Sequence, residues 1–211
     1  IMTILITGGA GFIGSRLAMQ LIGMGESIVI LDNFNDFYDP AIKRANIASL
    51  GKDIPVIEGD IRDTALVTKL FNDYGITRIA HLAGLANVRK SIEFGDLYAD
   101  VNTTGSVNLM NIARKYPVSV FVQISTSSVY GNTNHIPFSE EDTPDKPLSP
   151  YPASKRAAEL FAYTYYQLHQ LNVTVLRLFN VYWPNGRIDM MPMKTIDAIL
   201  NDKVITVYDE G

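Results

Sequence analysis

Cysteine is missing from this 211-residue sequence. Its absence excludes disulfide bonds and thiolate metal sites, and it is compatible with a reducing compartment. Long hydrophobic runs are missing too, because no apolar stretch reaches the length that spans a bilayer. The sequence begins directly with a core strand and shows no signal-peptide layout. We therefore predict a cytoplasmic protein with no membrane partner.

Positive charge is scarce as well. The 18 basic residues stand against 22 acidic ones, which gives a net charge of −4, and no basic block is present. This composition disfavours a nucleic-acid partner. The histidines His81, His135 and His169 are scattered at spacings that do not suggest a metal site, so no metal is predicted. Hydrophobic residues make up 47% of the chain, which is enough for a sizeable core.

Apolar, β-rich runs alternate with helical stretches along most of the chain, which predicts βαβ units and a parallel sheet. The expected fold class is α/β, with a Rossmann-type, doubly wound parallel sheet. Strands are expected at residues 4–6, 27–31, 54–57, 78–82, 118–124 and 173–179, with a further one at 204–207. Helices are expected at 15–25, 40–50, 64–74, 97–113, 151–171 and 193–200.

The first strand ends in a glycine turn made of Gly8, Gly9, Gly11 and Gly14. A strand, a glycine turn and a helix in that order form the phosphate-binding entry of a dinucleotide fold. The glycines permit a tight turn, let a pyrophosphate approach the backbone and let the helix sit close to the sheet. The helix N-terminus then offers N–H groups to the phosphates. The alternative is a purely structural turn.

The second strand ends at Asp32, about 20 residues after the glycines, where a carboxylate can accept hydrogen bonds from an adenosine ribose. Such a carboxylate would repel a 2′-phosphate, and no Arg or Lys follows at residues 33–35. NAD is therefore favoured over NADP. The alternative is an aspartate that merely ends a strand.

Small and hydroxylated residues follow two later strands. Ala83 and Gly84 would let a cofactor lie against the sheet edge. The fifth strand runs into four hydroxyl residues at 125–128, at the carboxyl end of a strand, where ligands bind in open α/β sheets. Residues 131–150 form a proline-rich loop, and long loops in compact domains are often functional.

Tyr151 and Lys155 stand four residues apart at the head of a predicted helix, so both side chains lie on one helix face. A cationic ammonium near a phenol stabilises the phenolate. The ordinary pKa of tyrosine is ~10, and lowering it by ~3 units would let Tyr151 act as a general base near neutral pH. Thr126 could supply a further hydrogen bond to the reacting hydroxyl. The alternative is a solvated pair, but the six-strand context and the hydroxyl cluster favour catalysis.

With these motifs in place, the chain resembles the extended short-chain dehydrogenases/reductases, in the NAD-dependent epimerase/dehydratase family that acts on nucleotide sugars. The similarity covers nearly the whole chain. It is carried by TGGAGFIGS at 7–15, LDNFNDFYDP at 31–40, EGDIRD at 58–63, HLAG at 81–84, STSSVYG at 125–131, SPYPASK at 149–155 and RLFNVYWPNGRIDM at 177–190.

The resemblance implies an isomerase that uses NAD to invert C4 of a UDP-sugar through a transient 4-keto intermediate. The implied catalytic residues are Thr126, Tyr151 and Lys155. The implied cofactor-binding residues, besides Tyr151 and Lys155, are Gly8, Gly11, Phe12, Ile13, Gly14, Asp32, Asn33, Asp60, Ile61, Leu82, Ala83, Gly84 and Asn102. The implied substrate-binding residues are Arg89, Ser127, Ser128, Asn180 and Arg187.

The residues after Thr126 separate neighbouring activities in this family. Related 4,6-dehydratases carry an Asp-Glu pair there and related UDP-glucuronate decarboxylases a Glu, whereas this chain has Ser127 and Ser128. The missing carboxylate favours simple epimerisation. The stretch at 31–40 and the GR-x-DM element at 186–190 resemble UDP-glucuronate 4-epimerases, so UDP-glucuronate is the favoured substrate.

Three residues, Gly84, Asn180 and Trp183, depart from the pattern of the glucuronate enzymes, and Asn180 is more typical of UDP-glucose 4-epimerases. A UDP-glucose 4-epimerase, or another nucleotide-sugar dehydratase or reductase of this fold, is therefore the alternative. A non-catalytic NAD-binding module is a more remote one.

Residues 1–180 are expected to form an NAD-binding Rossmann domain. The residues that follow, 181–211, are too few for a separate domain, and we interpret them as the incomplete beginning of a smaller nucleotide-sugar-binding domain. The predicted helices at 97–113 and 151–171 carry apolar residues on more than one face. One face would pack on the sheet, and a second could form a four-helix contact in a homodimer, as in the resembling enzymes.

Overall fold

The computed structural model describes residues 2–51, 53–133, 135–143, 145–184, 186 and 190–205. It divides into two units, Ile1–Phe179 and Asn180–Gly211. In the first unit the described residues form one parallel sheet in the order β3-β2-β1-β4-β5-β6, which confirms the predicted doubly wound fold. Its strands are β1 Thr3–Thr7, β2 Ser27–Asp32, β3 Val56–Glu58, β4 Ile76–His81, β5 Val120–Thr126 and β6 Val173–Leu178.

Helices cover both faces of this sheet. They are α1 Phe12–Gly23, α2 Pro40–Ala48, α3 Thr64–Tyr74, α4 Val88–Glu93, α5 Gly95–Tyr98, α6 Gly105–Ala113 and α7 Pro150–His169. On one face, Ile6 and Ile30 pack with residues of α1 and α2. On the other face, Leu5, Ile79 and Phe121 pack with residues of α3, α6 and α7. Because successive strand residues point to opposite faces, β1 to β4 contribute to both hydrophobic cores.

The bounds of α3 are as predicted because both ends carry local signals. The Asp63 carboxylate accepts a hydrogen bond from the Leu66 N–H at 2.9 Å, which caps the first turn. Gly75 ends the helix in the left-handed conformation, with φ 57°. The predicted start of α2 is confirmed as well, because the Asp39 carboxylate accepts from the Ala41 N–H at 2.9 Å.

The segment predicted as one helix over 97–113 is helical throughout, but it is not one regular α-helix. The chain instead forms α5, a π-helical turn at Ala99–Thr104, and then α6, and the sequence did not predict α4 before them. The wide turn holds Asn102, whose side chain reaches Leu85 and Ser154 in other elements. Such π-turns depend on tertiary contacts and are frequent at functional sites, so the helical periodicity of the sequence did not reveal this one.

In the second unit, residues 191–200 form a helix, α8 Met191–Leu200, where the sequence predicts one at 193–200. The Asn201 side chain donates to the Asp197 carbonyl at 2.9 Å at its end. Val204 and Ile205 are not in a strand, and the rest of the strand predicted at 204–207 lies outside the described residues. None of the helices described is both long and apolar enough to cross a bilayer.

Candidate active site

The strand order reverses between β1 and β4, so the carboxyl ends of these two strands border a crevice. Gly8 lies there with φ +69°, and a Cβ on it would stand 2.6 Å from the Ala83 backbone nitrogen. A Cβ on Gly14 would overlap the Gly8 carbonyl oxygen and the Gly9 Cα. The glycine turn therefore packs backbone against backbone and leaves no volume for side chains.

The start of α1 faces this turn. Gly11 precedes the helix and gives it no side-chain cap, while Phe12 is buried and Ile13 half-buried behind it. An N-terminus of this kind after a glycine turn offers backbone N–H groups and a positive dipole end to an anion. The residues present thus fit the pyrophosphate of a dinucleotide.

Asp32, 6% exposed, joins the end of β2 to the glycine turn. Its carboxylate accepts from the Ala10 N–H at 3.0 Å and from the Phe34 N–H at 2.9 Å. Each carboxylate oxygen can accept a second bond, so a ribose hydroxyl still has an acceptor. In this structure the aspartate also has a structural role, which is to hold the turn.

No Arg or Lys follows Asp32 at residues 33–35, but a cation reaches its carboxylate from another part of the chain. Lys43 arrives from α2, and its Nζ lies 3.8 Å from the Asp32 carboxylate and 2.9 Å from Asn35 Oδ1. Burial lowers the pKa of the Lys43 ammonium, and the charge of Asp32 opposes that shift. Because Lys43 offsets the carboxylate, repulsion of a 2′-phosphate is a weaker reason to prefer NAD than the sequence indicates.

Asn33 and Asp60 meet at the ends of β2 and β3. The Asn33 amide donates to the Asp60 carboxylate at 3.1 Å, and Arg62 donates to it at 2.8 Å. The hydrogen bonds from Arg62 are the main cause that lowers the pKa of Asp60 to about 2. Ile61 is buried, and its carbonyl accepts from the Asn108 side chain at 2.7 Å.

Asn102 joins the end of β4 to the head of α7. Its amide accepts from the Leu85 N–H at 2.7 Å and donates to the Ser154 hydroxyl at 3.0 Å. A Cβ on Gly84 would stand 2.9 Å from Asn102 Oδ1 and 3.1 Å from Lys155 Nζ. Three predicted site residues, Gly84, Asn102 and Lys155, therefore lie together, beside half-buried Leu82 and Ala83.

Lys155, 5% exposed, reaches the end of β5, where its Nζ donates to the Ile124 carbonyl at 3.0 Å. Burial lowers the pKa of Lys155 to about 8, against the opposing charge of Glu159. Tyr151 lies one turn earlier on α7 and is half-buried, with its ring edge-on to Tyr98 at 6.2 Å between centroids.

Thr126 is the last residue of β5, two positions after the carbonyl that Lys155 contacts. Its Oγ1 accepts from the Ser128 N–H at 3.1 Å, and a hydroxyl that accepts one bond can still donate one. Ser127 and Ser128 follow, half-buried, in a 3₁₀ turn at Ser127–Tyr130. The hydroxyl cluster and the Lys155 ammonium thus meet at one end of β5.

The remaining predicted substrate residues are Arg89, Asn180 and Arg187. Arg89 is exposed on α4. Asn180 is exposed and belongs to the second unit. Arg187 lies outside the described residues.

Two buried groups beneath the site, His81 and Glu159, were not predicted as site residues from the sequence. His81 bridges Thr7 Oγ1 at 2.7 Å and Ser106 Oγ at 2.9 Å, and burial together with the charge of Lys155 lowers its pKa to about 3. Glu159 bonds Ser125 on β5. Its position four residues after Lys155, on the same helix face, is a signal that the sequence did offer. Among the described residues, no group of three or more His, Asp or Glu could hold a metal ion.

The sheet order, the glycine turn at the switch point and the acid at the end of β2 define a dinucleotide-binding α/β domain. A family model described as GDP-mannose 4,6 dehydratase matches residues 5–206, so the chain belongs to that family, within the NAD-dependent epimerases/dehydratases.

Curated relatives and solved structures show the same similarity. UDP-glucuronate 4-epimerase 4 of Arabidopsis thaliana is 42% identical over 211 residues, which are 99% of this chain and 48% of that protein. The crystal structure of UDP-glucuronic acid 4-epimerase from Bacillus cereus, with UDP-glucuronic acid and NAD, superposes with a TM-score of 0.91 at 34% identity, over 100% of this chain and 67% of that one.

A UDP-glucose 4-epimerase from Thermus thermophilus, in complex with NAD, has a TM-score of 0.86 at 32% identity, over 100% of this chain and 68% of that one. The chain spans about half the length of the plant relatives that it matches.

Proposed function

We propose that this chain carries the NAD-binding and catalytic residues of a UDP-sugar 4-epimerase, with UDP-glucuronate as the favoured substrate. The observation that carries the proposal is the buried Lys155 ammonium at the end of β5, with Tyr151 one turn earlier on the same helix face and Thr126 two residues along the strand. Relatives and structural neighbours that bear the name UDP-glucuronate 4-epimerase support this substrate.

In this proposal Tyr151 takes the proton of the sugar 4′-hydroxyl, and Thr126 donates a hydrogen bond to the same oxygen. Lys155 stabilises the Tyr151 phenolate by its charge. NAD, when bound, would supply reversible hydride transfer at C4′, and Tyr151 gives its proton back to the same oxygen when the hydride returns to the opposite face of the 4-keto sugar. Ser127 and Ser128 bond the sugar carboxylate without repelling it.

The cofactor would lie along the crevice between β1 and β4. The uncapped start of α1 and the glycine turn would take the pyrophosphate, and Asp32 would accept from the adenosine ribose. The contacts among Gly84, Asn102 and Lys155 support a nicotinamide-ribose site at the other end. Asn33 and Asp60 stay predicted cofactor ligands, while Arg89, Asn180 and Arg187 stay predicted substrate ligands.

UDP-glucose is the second candidate substrate, favoured by Asn180 and by the similarity to the Thermus enzyme.

To test the proposal, the natural full-length protein and NAD are incubated with each UDP-sugar, and C4 inversion is followed by NMR. We expect inversion of UDP-glucuronate, with no net consumption of cofactor and no loss of water. Inversion of neither sugar would refute the proposal, and loss of water would point to a dehydratase.

We also propose a homodimer that uses the outer face of α7. The exposed apolar residues there are Leu160, Phe161, Tyr163, Tyr166 and Leu168. Burial of such a patch by a second copy would remove apolar area from water. Light scattering at micromolar concentration should give a dimer, and Leu160→Asp with Tyr163→Asp should give a monomer, whereas Gln20→Asp on α1 should stay dimeric. The cytoplasmic location stays a prediction.

A further inference from the structure

Glu159 is a buried carboxylate that the proposed chemistry does not use. It lies on α7, one helical turn after Lys155, and is 5% exposed. Glutamate is rarely buried to this extent unless it is paired, because the cost of desolvating a carboxylate is large. Its partners therefore indicate why the fold keeps it there.

Three side chains from three elements donate to Glu159. The Ser125 hydroxyl of β5 donates at 2.5 Å, Arg177 of β6 through two nitrogens at 3.1 and 3.0 Å, and Arg156 of α7 at 2.9 Å. Burial raises the pKa of Glu159, but the hydrogen bonds from Arg177, Ser125 and Arg156 outweigh it and leave that pKa below its ordinary value. The carboxylate is therefore ionised at neutral pH.

Two successive turns of α7 contact two successive residues of β5. Lys155 donates to the Ile124 carbonyl, and Glu159 accepts from the Ser125 hydroxyl, while Thr126 follows directly. Because strand side chains alternate between faces, Ser125 points toward α7 and Thr126 away from it. The Ser125–Glu159 bond thus fixes the register of the helix against the strand that carries Thr126.

Charge is the second link between Glu159 and the site. The titratable groups that face Lys155 are Tyr151 and Glu159 from α7 and His81 from β4, with Arg156 and Arg177 behind Glu159. His81 is neutral at pH 7, because its pKa is about 3. Glu159 therefore supplies the negative charge that opposes the desolvation of Lys155.

We propose that Glu159 is a positioning residue for the reaction: it holds Lys155 and Thr126 at a fixed spacing through Ser125, and it places a carboxylate one helical turn from the Lys155 ammonium on the same helix face. This inference rests on the proposed 4-epimerase function. The residue acts through its neighbours and does not touch the sugar.

The test compares three variants of the full-length protein. Glu159→Gln keeps the shape and removes the charge, whereas Ser125→Ala removes the bond to β5 and keeps the charge. Glu26→Gln is the matched control, because Glu26 pairs with Arg78 near the amino ends of the strands. The titration of Lys155 is read from the NMR shift of its ε-carbon, and kcat and KM are measured against pH.

Glu159→Gln should lower the pKa of Lys155 by about one unit, and the alkaline limb of the kcat profile should move with it. Ser125→Ala should leave that titration unchanged and lower kcat roughly tenfold at constant KM, since a small misplacement of catalytic groups slows the chemical step. Glu26→Gln should match the wild type in every readout.

A Lys155 titration in Glu159→Gln that equals the wild type would overturn the inference, and so would a wild-type kcat in Ser125→Ala. If Glu159→Gln does not fold, the kcat of Ser125→Ala decides whether the inference stands. The NMR titration needs no turnover. A shifted titration in a protein that inverts no UDP-sugar would therefore uphold the link between Glu159 and Lys155 and reject only the proposed function.

Discussion

The two sides of the crevice are built in different ways. On the β1–α1 side, Gly8 and Gly14 let backbone lie against backbone, and the buried pair Asp32 and Lys43 meets at the end of β2. On the β5–α7 side, three ionisable side chains are buried in the interior: the charged Lys155 and Glu159, and His81, which is neutral. The first side should be sensitive to added volume, and the second should be sensitive to charge and pH.

The largest effect is expected from Tyr151→Phe on the α7 side. It removes the proposed proton acceptor and keeps the ring that packs on Tyr98. We expect kcat to fall about 10³-fold, within the range of general-base catalysis. Tyr163→Phe, on the exposed face of α7, is the control for loss of a phenol. A Tyr151→Phe enzyme with a tenth of the wild-type kcat would contradict the assignment.

Gly8→Ala tests the backbone side. The new Cβ would meet the Ala83 backbone at 2.6 Å and would impose φ +69° on an alanine. We expect the free energy of unfolding to fall by about 2 kcal/mol and NAD binding to be lost. Urea denaturation and an NAD titration measure both.

Gly23→Ala is the matched control for this substitution, because nothing lies within 4 Å of a Cβ there and the residue is helical. It should raise the free energy of unfolding by about 0.5 kcal/mol and leave NAD binding intact. If Gly8→Ala and Gly23→Ala had the same effect on the free energy of unfolding and on NAD binding, the contrast between a packed turn and an open helix end would be contradicted.

The pH dependence of the free energy of unfolding tests the side of the crevice that holds the buried ionisable groups, through His81. Its pKa falls from 6.5 to about 3 on folding, because burial and the charge of Lys155 disfavour the imidazolium. The unfolded chain therefore binds the proton first as the pH drops. The contribution of neutral His81 to the free energy of unfolding is complete above pH 6.5. It should decline as the pH falls toward 3, with a slope approaching ~1.4 kcal/mol per pH unit.

Unfolding by urea between pH 6.5 and 4.5 measures that slope, in a range above the ordinary carboxylate pKa values. His81→Asn should flatten it, whereas His169→Gln, at an exposed position on α7, should leave it as in the wild type. A slope that His81→Asn does not change would show that another group carries the acid sensitivity.

The fold was predictable wherever the signals are local. The caps at Asp63 and Gly75 stand next to the helix they bound, and the glycine turn is read from consecutive residues. The π-turn around Asn102 was not predictable, because its partners Leu85 and Ser154 lie 17 and 52 residues away. Periodicity alone indicates one helix there.

The same distinction holds for the site. The motif around Tyr151 and Lys155 was visible in the sequence, since both residues lie on one turn of α7. The contact between Lys43 and Asp32 was not predictable, because Lys43 lies on α2 and its side chain meets the Asp32 carboxylate only in the folded chain. The partners of Glu159 come from β5 and β6, so its role depends on strand order, which spacing along the chain does not encode.

The most direct test of the central claim is the fate of the hydrogen on C4. The full-length protein with NAD would receive UDP-glucuronate deuterated at C4, and the product would be analysed by NMR and mass spectrometry. An epimerase that returns the same hydride predicts UDP-galacturonate with the deuterium retained at C4. A product that has lost the deuterium to solvent, or no C4 inversion with either UDP-glucuronate or UDP-glucose, would contradict the account.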